Sequence, residues 1–303
     1  MLKSGPIHRE QSEMRTMGLV IRPGVEAAEK VANEVLAWAK ARSLGVRIEQ
    51  HSAVALKSKE KGISAKELVS ACDPIVALGG DGTLIGVGRY VGAHSPVLLG
   101  VNFGRLGFLT EVAPHELFET LERVLKGEAS IGERDLILCE VFRDGKRVFE
   151  SQAVNDAVVH KGALDGLMDL DIAIGKELVL RLRADGVIVS TPTGSTAYSL
   201  ACGGPIVHPA LSVMIVTPIS PHILTVRPFI VSQDSRLSVC LPPYNGQAFL
   251  SIDGQVGFEL KVGDSIEVAR SLHKVKFVHS PSKKYFEILR RKFSWGVGTH
   301  DEA

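Results

Sequence analysis

Residues 75 to 90 read IVALGGDGTLIGVGRY, an apolar stretch that runs directly into three glycines around one aspartate. The pattern predicts a buried strand, IVAL, that ends at Gly79, and a helix that starts near Thr83. Glycines at such a turn can adopt positive φ and let a ligand approach the backbone, while free N–H groups at the helix start attract an anion. The candidate phosphate-binding residues are Gly79, Gly80, Gly82 and Thr83.

A carboxylate in a phosphate-binding turn is a conflict of charge. Asp81 should repel phosphate unless it accepts a proton from an attacking hydroxyl or holds a magnesium ion that bridges the phosphates. A helix start favours the ionised carboxylate, so we expect a weak base, which the loose transition state of phosphoryl transfer tolerates. The alternative is a plain β-to-α turn in which Asp81 or Thr83 is the N-cap. The motif by itself leaves both open.

The first half of the chain repeats this strand-to-helix pattern. From Gly18 to about Lys126, short β-branched runs alternate with helical periodicity, which is typical of βα units on a parallel sheet. The predicted strands are GLVIR, VRIEQ, PIVAL and PVLLGV. EAAEKVANEVLAWAKARS predicts an amphipathic helix that Gly45 ends, and Pro114 opens a later helix. The predicted buried stripe of the first helix is Val31, Val35, Trp38 and Ala39.

After Arg134 the helical period disappears and hairpin patterns follow. LILCEVF and RVFESQAV flank Asp144-Gly145, a pair that suits a two-residue hairpin turn. Apolar and polar residues alternate in the later segments, which predicts antiparallel strands. These segments are MDLDIAI, ELVLRLRADGVIVS, SRLSVCL, QAFLSI, SIEVAR and HKVKFV.

The predicted organisation has four segments. They are a flexible leader at 1–17, an α/β domain with a mainly parallel sheet at 18–133, a β-rich, sandwich-like domain at 134–280, and a C-terminal segment at 281–303. YFEILRRKF, in the last segment, returns to helical spacing and is expected to pack back on the first domain.

The composition is that of a soluble globular protein, with 45% apolar and 23% charged residues. Because 35 basic residues face 34 acidic ones, no general attraction to nucleic acid or to an anionic membrane is expected. The leader lacks the apolar core of a signal peptide, and no apolar run approaches the roughly 20 residues that span a bilayer. The cysteines form no C-x-x-C pair and are expected to be buried thiols in the cytoplasm. They are Cys72, Cys139, Cys202 and Cys240.

Several well-known motifs are absent. No G-x-x-x-x-G-K-[ST] occurs, GVGRYV lacks the third glycine of the dinucleotide fingerprint, and Ser195 lacks the context of a nucleophile elbow. The histidines show no H-x-x-x-H pattern, so His160 and His208 are expected to be structural. Arg89 is expected on a solvated helix face.

A second cluster is VNDAVVHKG, residues 154 to 162. The adjacent amide and carboxylate of Asn155 and Asp156 can hold a ribose diol or a carboxamide by complementary hydrogen bonds. An Asx-turn at a strand entrance is the alternative.

A third cluster is RADGVIVSTPTGSTAYSLACGGPIVHP, residues 183 to 209, in which five hydroxyls of STPTGST precede Tyr198. A tyrosine beside hydroxyl donors can stack on a base while the donors satisfy the polar edge of that base. The alternative is a solvated loop with redundant helix caps.

Taken in order, the three clusters resemble the NAD kinase family, whose members phosphorylate the adenosine 2′-hydroxyl of NAD to make NADP. The similarity runs from GLVIRPG through LGGDGTLIG, GVNFGRLGFLTEV, VNDAVVHKG, DGVIVSTPTGSTAYSLACGGPIVHP, SPHILTVRPFIV and IDGQ to KFSWG, nearly the whole chain beyond the leader. GGDG is shared with lipid kinases, whereas the segment that contains STPTGSTAYS is far more specific.

The resemblance implies an α/β domain, an NAD-binding β-domain and a site in the crevice between them. It implies that Asp81 accepts the proton with Gly82 beside it at the substrate, and that Phe108 closes over the nucleotide. Asn155 and Asp156 would hold the ribose and nicotinamide side. The implied adenine and ribose pocket consists of Thr196, Ala197, Tyr198 and Ser199, lined by Arg183, Asp185 and Gln255. KGALDGL, at 161–167, does not align with the family pattern, and no residue there is assigned.

The resemblance also implies partners. The expected donor is ATP with a divalent metal, Mg²⁺, although inorganic polyphosphate serves some members, and a homo-oligomer, dimer or tetramer, is expected. The attacking nucleophile would be a substrate hydroxyl, which agrees with the absence of a recognisable protein nucleophile. The alternatives are a lipid or sphingoid kinase of the GGDG superfamily and an NAD-binding sensor without turnover.

Overall fold

The structure is a computed structural model that describes residues 16–104, 106–163, 166–243, 246–280 and 284–295. The chain divides into two compact units, Met1–Glu133 with Lys276–Ala303, and Arg134–Val275. The predicted flexible leader lies outside the described residues up to residue 15. The first strand begins at Thr16, two residues before the predicted start.

The first unit contains a parallel sheet with the strand order β2-β1-β3-β4, and the end of β16 (Ser265–Val278) pairs with β4. All residues of β3 and β4 are buried, as in a parallel sheet that helices cover on both faces. The predicted α/β architecture is confirmed. The elements are β1 (Thr16–Ile21), α1 (Glu26–Ala41), β2 (Gly45–Ile48), α2 (Gln50–Ala55), α3 (Ala65–Ala71), β3 (Ile75–Leu78), α4 (Asp81–Gly88), β4 (Val97–Val101), a 3-10 turn (Pro114–Glu116) and α5 (Leu117–Lys126).

The buried face of α1 differs from the predicted one. Ala28, Ala32, Val35 and Ala39 are fully buried, whereas the predicted Val31 and Trp38 are only half-buried at its margin. Small alanine side chains on this face let the helix approach the sheet closely. The helix ends at Ala41, before the predicted stop at Gly45, which instead opens β2.

Helix α4 also begins earlier than predicted, at Asp81 rather than near Thr83. Arg89, which follows it, is 3% exposed, so the prediction of a solvated face is wrong. The neighbouring Leu84, Ile85 and Val87 are buried as well. The last turn of α4 is therefore enclosed, and Arg89, its C-cap residue, is enclosed with it.

The second unit consists of antiparallel strands, as predicted. One sheet has the order β12-β11-β10-β7-β14-β15; in the other, β16 pairs with β13 and β5, β13 with β8, β8 with β9, and β5 with β6. Buried residues of both sheets, such as Leu170 of one and Val187 of the other, share one core, which is the architecture of a sandwich. The elements are β5 (Ile131–Arg143), β6 (Lys146–Ala153), β7 (Asp156–Lys161), β8 (Met168–Ile174), β9 (Glu177–Ala184), β10 (Gly186–Ser190), a 3-10 turn (Gly194–Thr196), α6 (Tyr198–Ala201), β11 (Val213–Ile219), β12 (Phe229–Ser232), β13 (Leu237–Cys240), β14 (Ala248–Ile252), β15 (Val256–Leu260) and β16 (Ser265–Val278).

One turn and one strand show how far local signals predict this unit. Asp144 and Gly145 have φ of 52° and 74°, so the predicted two-residue hairpin between β5 and β6 is confirmed. The segments SIEVAR and HKVKFV, predicted as separate strands, form the single strand β16. No glycine or proline separates the two segments, so the strand continues through Ser271 and Leu272.

The C-terminal helix α7 (Tyr285–Phe293) belongs to the first unit. The ring of Phe293 lies 5.9 Å from the ring of Phe108, also in the first unit. In the described part of the chain, no helix is long and apolar enough to cross a membrane.

The four cysteines are free thiols. Cys72 and Cys139 are buried, and burial raises the pKa of the Cys139 thiol to about 12. Cys202 is half-buried and Cys240 is exposed, so the expectation of a buried thiol is wrong for Cys240. That residue ends β13 on the outward side of the strand.

Gly18 marks the closest approach of β1 to its neighbours. A Cβ added there would lie 2.9 Å from Ile75 Cγ1 and 3.1 Å from Leu68 Cγ. We therefore expect Gly18→Ala to lower the free energy of unfolding by about 1–3 kcal/mol, measured by urea denaturation. Gly45→Ala is the control, since its added Cβ would be 3.5 Å from the nearest atom, Thr16 Oγ1. Equal losses in both variants would contradict this account.

Candidate active site

The Asp81 carboxylate, at the start of α4, accepts four hydrogen bonds from a single loop. Oδ2 accepts from the N–H of Phe108 at 2.7 Å. Oδ1 accepts from the N–H groups of Leu109 at 3.1 Å and Thr110 at 2.9 Å, and from the Thr110 hydroxyl at 2.9 Å. The N-cap of α4 is Gly80, with no side-chain cap. The alternative in which Asp81 caps its own helix is therefore wrong.

The topology explains why these groups meet. Strands β3 and β4 are parallel neighbours, so the turn after β3 and the loop after β4 leave the same edge of the sheet. Gly107 leaves space for the carboxylate, since a Cβ added there would lie 2.0 Å from Asp81 Oδ1. In α/β sheets this carboxyl edge is where ligands bind.

The glycines of the turn matter because they have no side chain, and not because they adopt positive φ. A Cβ added at Gly79 would lie 2.4 Å from Thr83 Oγ1, and φ at Gly80 is −81°. Neither residue is in the left-handed region, so that part of the prediction is wrong. An added Cβ at Gly80 would meet nothing within 4 Å, and Gly82 is exposed, so the backbone here is open to a ligand.

The second unit contains a cavity of about 580 Å³ that is lined along β7 and by residues near the end of β14 and the start of α6. Five of the predicted site residues line it: Asn155, Asp156, Asp185, Ala197 and Tyr198. The lining residues without a predicted binding role are Val158, His160, Lys161, Gly162, Ala163, Ile219, Ser251, Asp253 and Gly254.

Asp253 organises the floor of this cavity. It lies at φ 51° in the turn between β14 and β15, followed by Gly254 at φ 63°. Its carboxylate accepts from the N–H groups of Asn155 at 2.7 Å and of Val154 and Asp156 at 3.2 Å each. These bonds fix the start of β7, where the predicted site residues lie.

The side chain of Asp156 lies in an unusual electrostatic environment. The residue is 4% exposed, and burial, together with the negative charge of Asp253, raises the pKa of its carboxyl to about 7. Near neutral pH the group is thus shared between its protonated and ionised forms. Elsewhere in the cavity, Lys161 Nζ lies 3.5 Å from Asp185 Oδ1, which partly balances the acidic lining.

Comparisons with known proteins agree over nearly the whole chain. The model of the ATP-NAD kinase N-terminal domain matches residues 17–129, and that of the ATP-NAD kinase C-terminal domain matches residues 154–280. The NAD kinase of Geotalea daltonii is 44% identical over 268 residues, 88% of this chain and 93% of that protein. The NAD kinase of Syntrophotalea carbinolica is 39% identical over 283 residues, 93% of this chain and 99% of that protein. The chain belongs to the ATP-NAD kinase family.

Solved structures show the same fold. The crystal structure of yeast NADH kinase complexed with NADH has a TM-score of 0.87 and 25% identity, and covers 97% of this chain and 91% of that one. The structure of an NAD kinase from Archaeoglobus fulgidus in complex with ATP has a TM-score of 0.71 and 24% identity, with 92% and 97% covered. The fold of the ATP-NAD kinase family is thus present in both units.

The hydroxyls of STPTGST bind mainly to the protein itself in this family member. Thr191 Oγ1 donates to the carbonyl of Val154 at 2.6 Å, and Ser195 Oγ donates to the carbonyl of Pro192 at 2.6 Å. A Cβ added at Gly194 would lie 2.2 Å from the carbonyl oxygen of Asn155. The segment therefore packs tightly on the start of β7 and holds the backbone next to Asn155 and Asp156 in place.

Other residues assigned from the NAD kinase resemblance lie outside the cavity lining. Ser199 is buried, and its hydroxyl is 2.8 Å from that of Thr217. Arg183 is exposed on β9, and Gln255 is exposed in the turn after β14. Thr196 donates to the carbonyl of Thr193 at 3.2 Å. The ring of Phe108 packs on Phe293, and its N–H rather than its ring contacts Asp81.

Two of the unpredicted contributors, His160 and Asp253, show why the sequence did not reveal them. His160, expected to be structural, lines the cavity and stacks on Phe249 with ring centroids 5.8 Å apart. Asp253 belongs to IDGQ, but Asp-Gly between two strands is an ordinary hairpin turn in sequence. Asp253 and Gly254 form this turn, and the carboxylate of Asp253 also accepts hydrogen bonds from the start of β7. Only the second role makes Asp253 part of the site.

The described residues contain no group of three or more histidine, cysteine, aspartate or glutamate side chains placed to hold a metal ion. Both oxygens of Asp81 already accept hydrogen bonds from the protein.

The raised pKa of Asp156 predicts how stability depends on pH. The folded-state value lies above the unfolded one, so this group stabilises the folded form at low pH and that contribution is lost as pH rises towards 7. We expect the free energy of unfolding of Asp156→Asn, relative to that of the wild type, to rise by about 2–3 kcal/mol as the pH is raised from 5 to 8.5. Urea denaturation at each pH measures both free energies. Asp169→Asn, at an exposed position of β8, is the control and should show no such trend. A flat difference for Asp156→Asn would refute the assignment.

Proposed function

We propose that this protein transfers a phosphoryl group from ATP to the adenosine 2′-hydroxyl of NAD and so makes NADP. The observation that carries the proposal is the Asp81 carboxylate, held by four hydrogen bonds beside an open glycine turn, in a chain of the ATP-NAD kinase family. A carboxylate beside phosphates suits a proton acceptor for an attacking hydroxyl. The relatives' names support NAD and ATP as the substrates.

In this proposal the cavity of the second unit binds NAD. Tyr198, 47% exposed at its rim, stacks on a base, while Asn155 and Asp156 bind ribose or carboxamide groups. Asp185 and Ala197 complete the lining. The remaining residues assigned by resemblance, Thr196, Ser199, Arg183, Gln255 and Phe108, lie outside the cavity lining, and their binding roles stay a prediction.

The turn after β3 binds the transferred phosphate. N–H groups at the start of α4 favour negative charge, and there is space for a phosphate beside Gly80. Mg²⁺, bound with ATP, would neutralise charge on the phosphates. Asp81 then takes the proton as the 2′-oxygen bonds to phosphorus, and positioning supplies most of the rate.

We also propose that the enzyme works in the cytoplasm as a homo-oligomer. Four free thiols suit a reducing compartment. The segment after β11 exposes Ile223 by 51% and Leu224 by 82%, an apolar surface that a second copy would cover. Sedimentation equilibrium of the purified chain tests the assembly, and a monomer at micromolar concentration contradicts it.

The other candidate functions fit less well. A lipid kinase needs an apolar acyl pocket, whereas the described cavity carries the carboxylates of Asp156, Asp185 and Asp253. A sensor without turnover has no need of a fixed carboxylate at a phosphate-binding turn. Incubation with NAD, with ATP or polyphosphate, and with Mg²⁺ separates these functions, read by an NADP-specific dehydrogenase. Activity on diacylglycerol alone, or NAD binding without NADP formation, would replace the proposal.

Asp81→Asn should abolish turnover and leave NAD binding largely intact. The amide keeps the shape of the carboxylate but cannot take the proton, so kcat should fall by at least a hundredfold, on the order of 3 kcal/mol in barrier. Calorimetry with NAD measures binding, and circular dichroism checks the fold. Asp144→Asn, in the hairpin after β5, is the control and should keep full activity. Turnover by Asp81→Asn near the wild-type rate excludes Asp81 as proton acceptor.

Tyr198→Ala should weaken NAD binding. Loss of stacking is worth about 1–2 kcal/mol, so Kd for NAD should rise roughly 5- to 30-fold in calorimetry. Tyr90→Ala is the matched control, because Tyr90 is 41% exposed against 47% for Tyr198 but belongs to the first unit. Equal affinities for Tyr198→Ala and the wild type would exclude Tyr198 from the binding surface.

A further inference from the structure

We propose that Thr110 is a positioning residue for the phosphoryl transfer, and that it leaves Oδ2 of Asp81 as the oxygen that takes the proton. This inference rests on the proposed function. Thr110 is remote in sequence from GGDGT, yet it supplies two of the four hydrogen bonds to Asp81.

The two carboxylate oxygens of Asp81 are unequally occupied. Oδ1 accepts three hydrogen bonds, from Leu109 N–H, Thr110 N–H and the Thr110 hydroxyl. Among the described residues, Oδ2 accepts one, from Phe108 N–H at 2.7 Å. A carboxylate oxygen has two lone pairs, so the three donors on Oδ1 more than occupy it, whereas the single donor on Oδ2 leaves a lone pair for a further donor. The substrate hydroxyl can therefore donate to Oδ2 but not to Oδ1.

Packing holds the Thr110 hydroxyl in place. The residue is fully buried, and a Cβ added at Gly100 would lie 2.8 Å from its Cγ2 methyl. Its carbonyl accepts from Asn102 Nδ2 at 2.9 Å, which anchors the backbone. With methyl and carbonyl both engaged, the side chain keeps its rotamer and the hydroxyl points at Oδ1. The threonine thus fixes the carboxylate from the side opposite its open oxygen.

The chemical step follows from this geometry. The 2′-O–H bond breaks and its proton moves to Oδ2. The 2′-oxygen forms a bond to the γ-phosphorus of ATP, and the bond from that phosphorus to the β–γ bridging oxygen breaks, with its electron pair left on ADP. The products are NADP, ADP and one proton, which Asp81 releases to solvent. Thr110 touches none of the reacting atoms and acts only through Asp81.

The test compares three variants in steady-state kinetics with NAD, ATP and Mg²⁺. Thr110→Val keeps the shape and the backbone N–H but lacks the hydroxyl, so kcat should fall at least tenfold while KM for NAD stays within threefold. Thr110→Ser restores the hydroxyl and should retain kcat within threefold. Thr120→Val is the control, because Thr120 is a buried threonine of α5 whose hydroxyl donates to the carbonyl of Glu116 at 2.7 Å, away from Asp81.

The outcomes separate the possible failures. A wild-type protein that forms no NADP overturns the proposed function and this inference together. An active wild type with Thr110→Val within twofold of its kcat overturns the role of Thr110 alone. Equal losses in Thr110→Val and Thr110→Ser, or a loss matched by Thr120→Val, show a packing role and overturn it as well. If Thr110→Val does not fold, Thr110→Ala replaces it, since Ala and Ser at this position differ only by the hydroxyl, and equal kcat values for that pair overturn the inference.

Discussion

The hydrogen bonds between the Asp81 carboxylate and the loop 107–110 are the constraint on which the candidate active site depends. They join the turn after β3 to the loop after β4, two segments that neither strand holds in place by itself. An ionised carboxylate that accepts three backbone N–H groups satisfies donors that would otherwise be left unpaired in a partly buried loop. The same bonds settle which oxygen of Asp81 remains open. Loop order and catalytic geometry therefore have one physical cause.

In the second unit, too, a carboxylate orders a loop by accepting hydrogen bonds from successive backbone N–H groups. Asp253 accepts from three successive N–H groups, at residues 154 to 156, and so fixes the entrance of β7. Its charge lies close to Asp156, whose buried carboxyl responds with a raised pKa. Burial is the larger cause of the raised pKa of Asp156, and the anion that orders the backbone adds to it. A protonated Asp156 can donate a hydrogen bond, which an ionised one cannot.

Local patterns predicted much of the fold, because strands, helices and tight turns are set by residues close together in sequence. The Asp144-Gly145 hairpin needs only two residues that tolerate positive φ, and the buried run IVAL needs only its own side chains. Errors arose where packing decides. Arg89 is buried because it follows the enclosed last turn of α4, and the buried face of α1 follows the alanines that fit the sheet rather than the larger Val31 and Trp38.

The sequence by itself determined the family, the two architectures and the segments that carry the chemistry, because these depend on local spacing and on long motifs such as STPTGSTAYS. The tertiary structure alone decided what each side chain contacts. It turned the hydroxyls of that motif towards the protein, brought His160 and Asp253 to the cavity, and placed Thr110 on Asp81. The physical reason is that Asp81 and Thr110 are 29 positions apart in sequence, and their hydrogen bond forms only because two parallel strands end at the same edge of the sheet. No pattern of neighbouring residues in the sequence predicts such a contact.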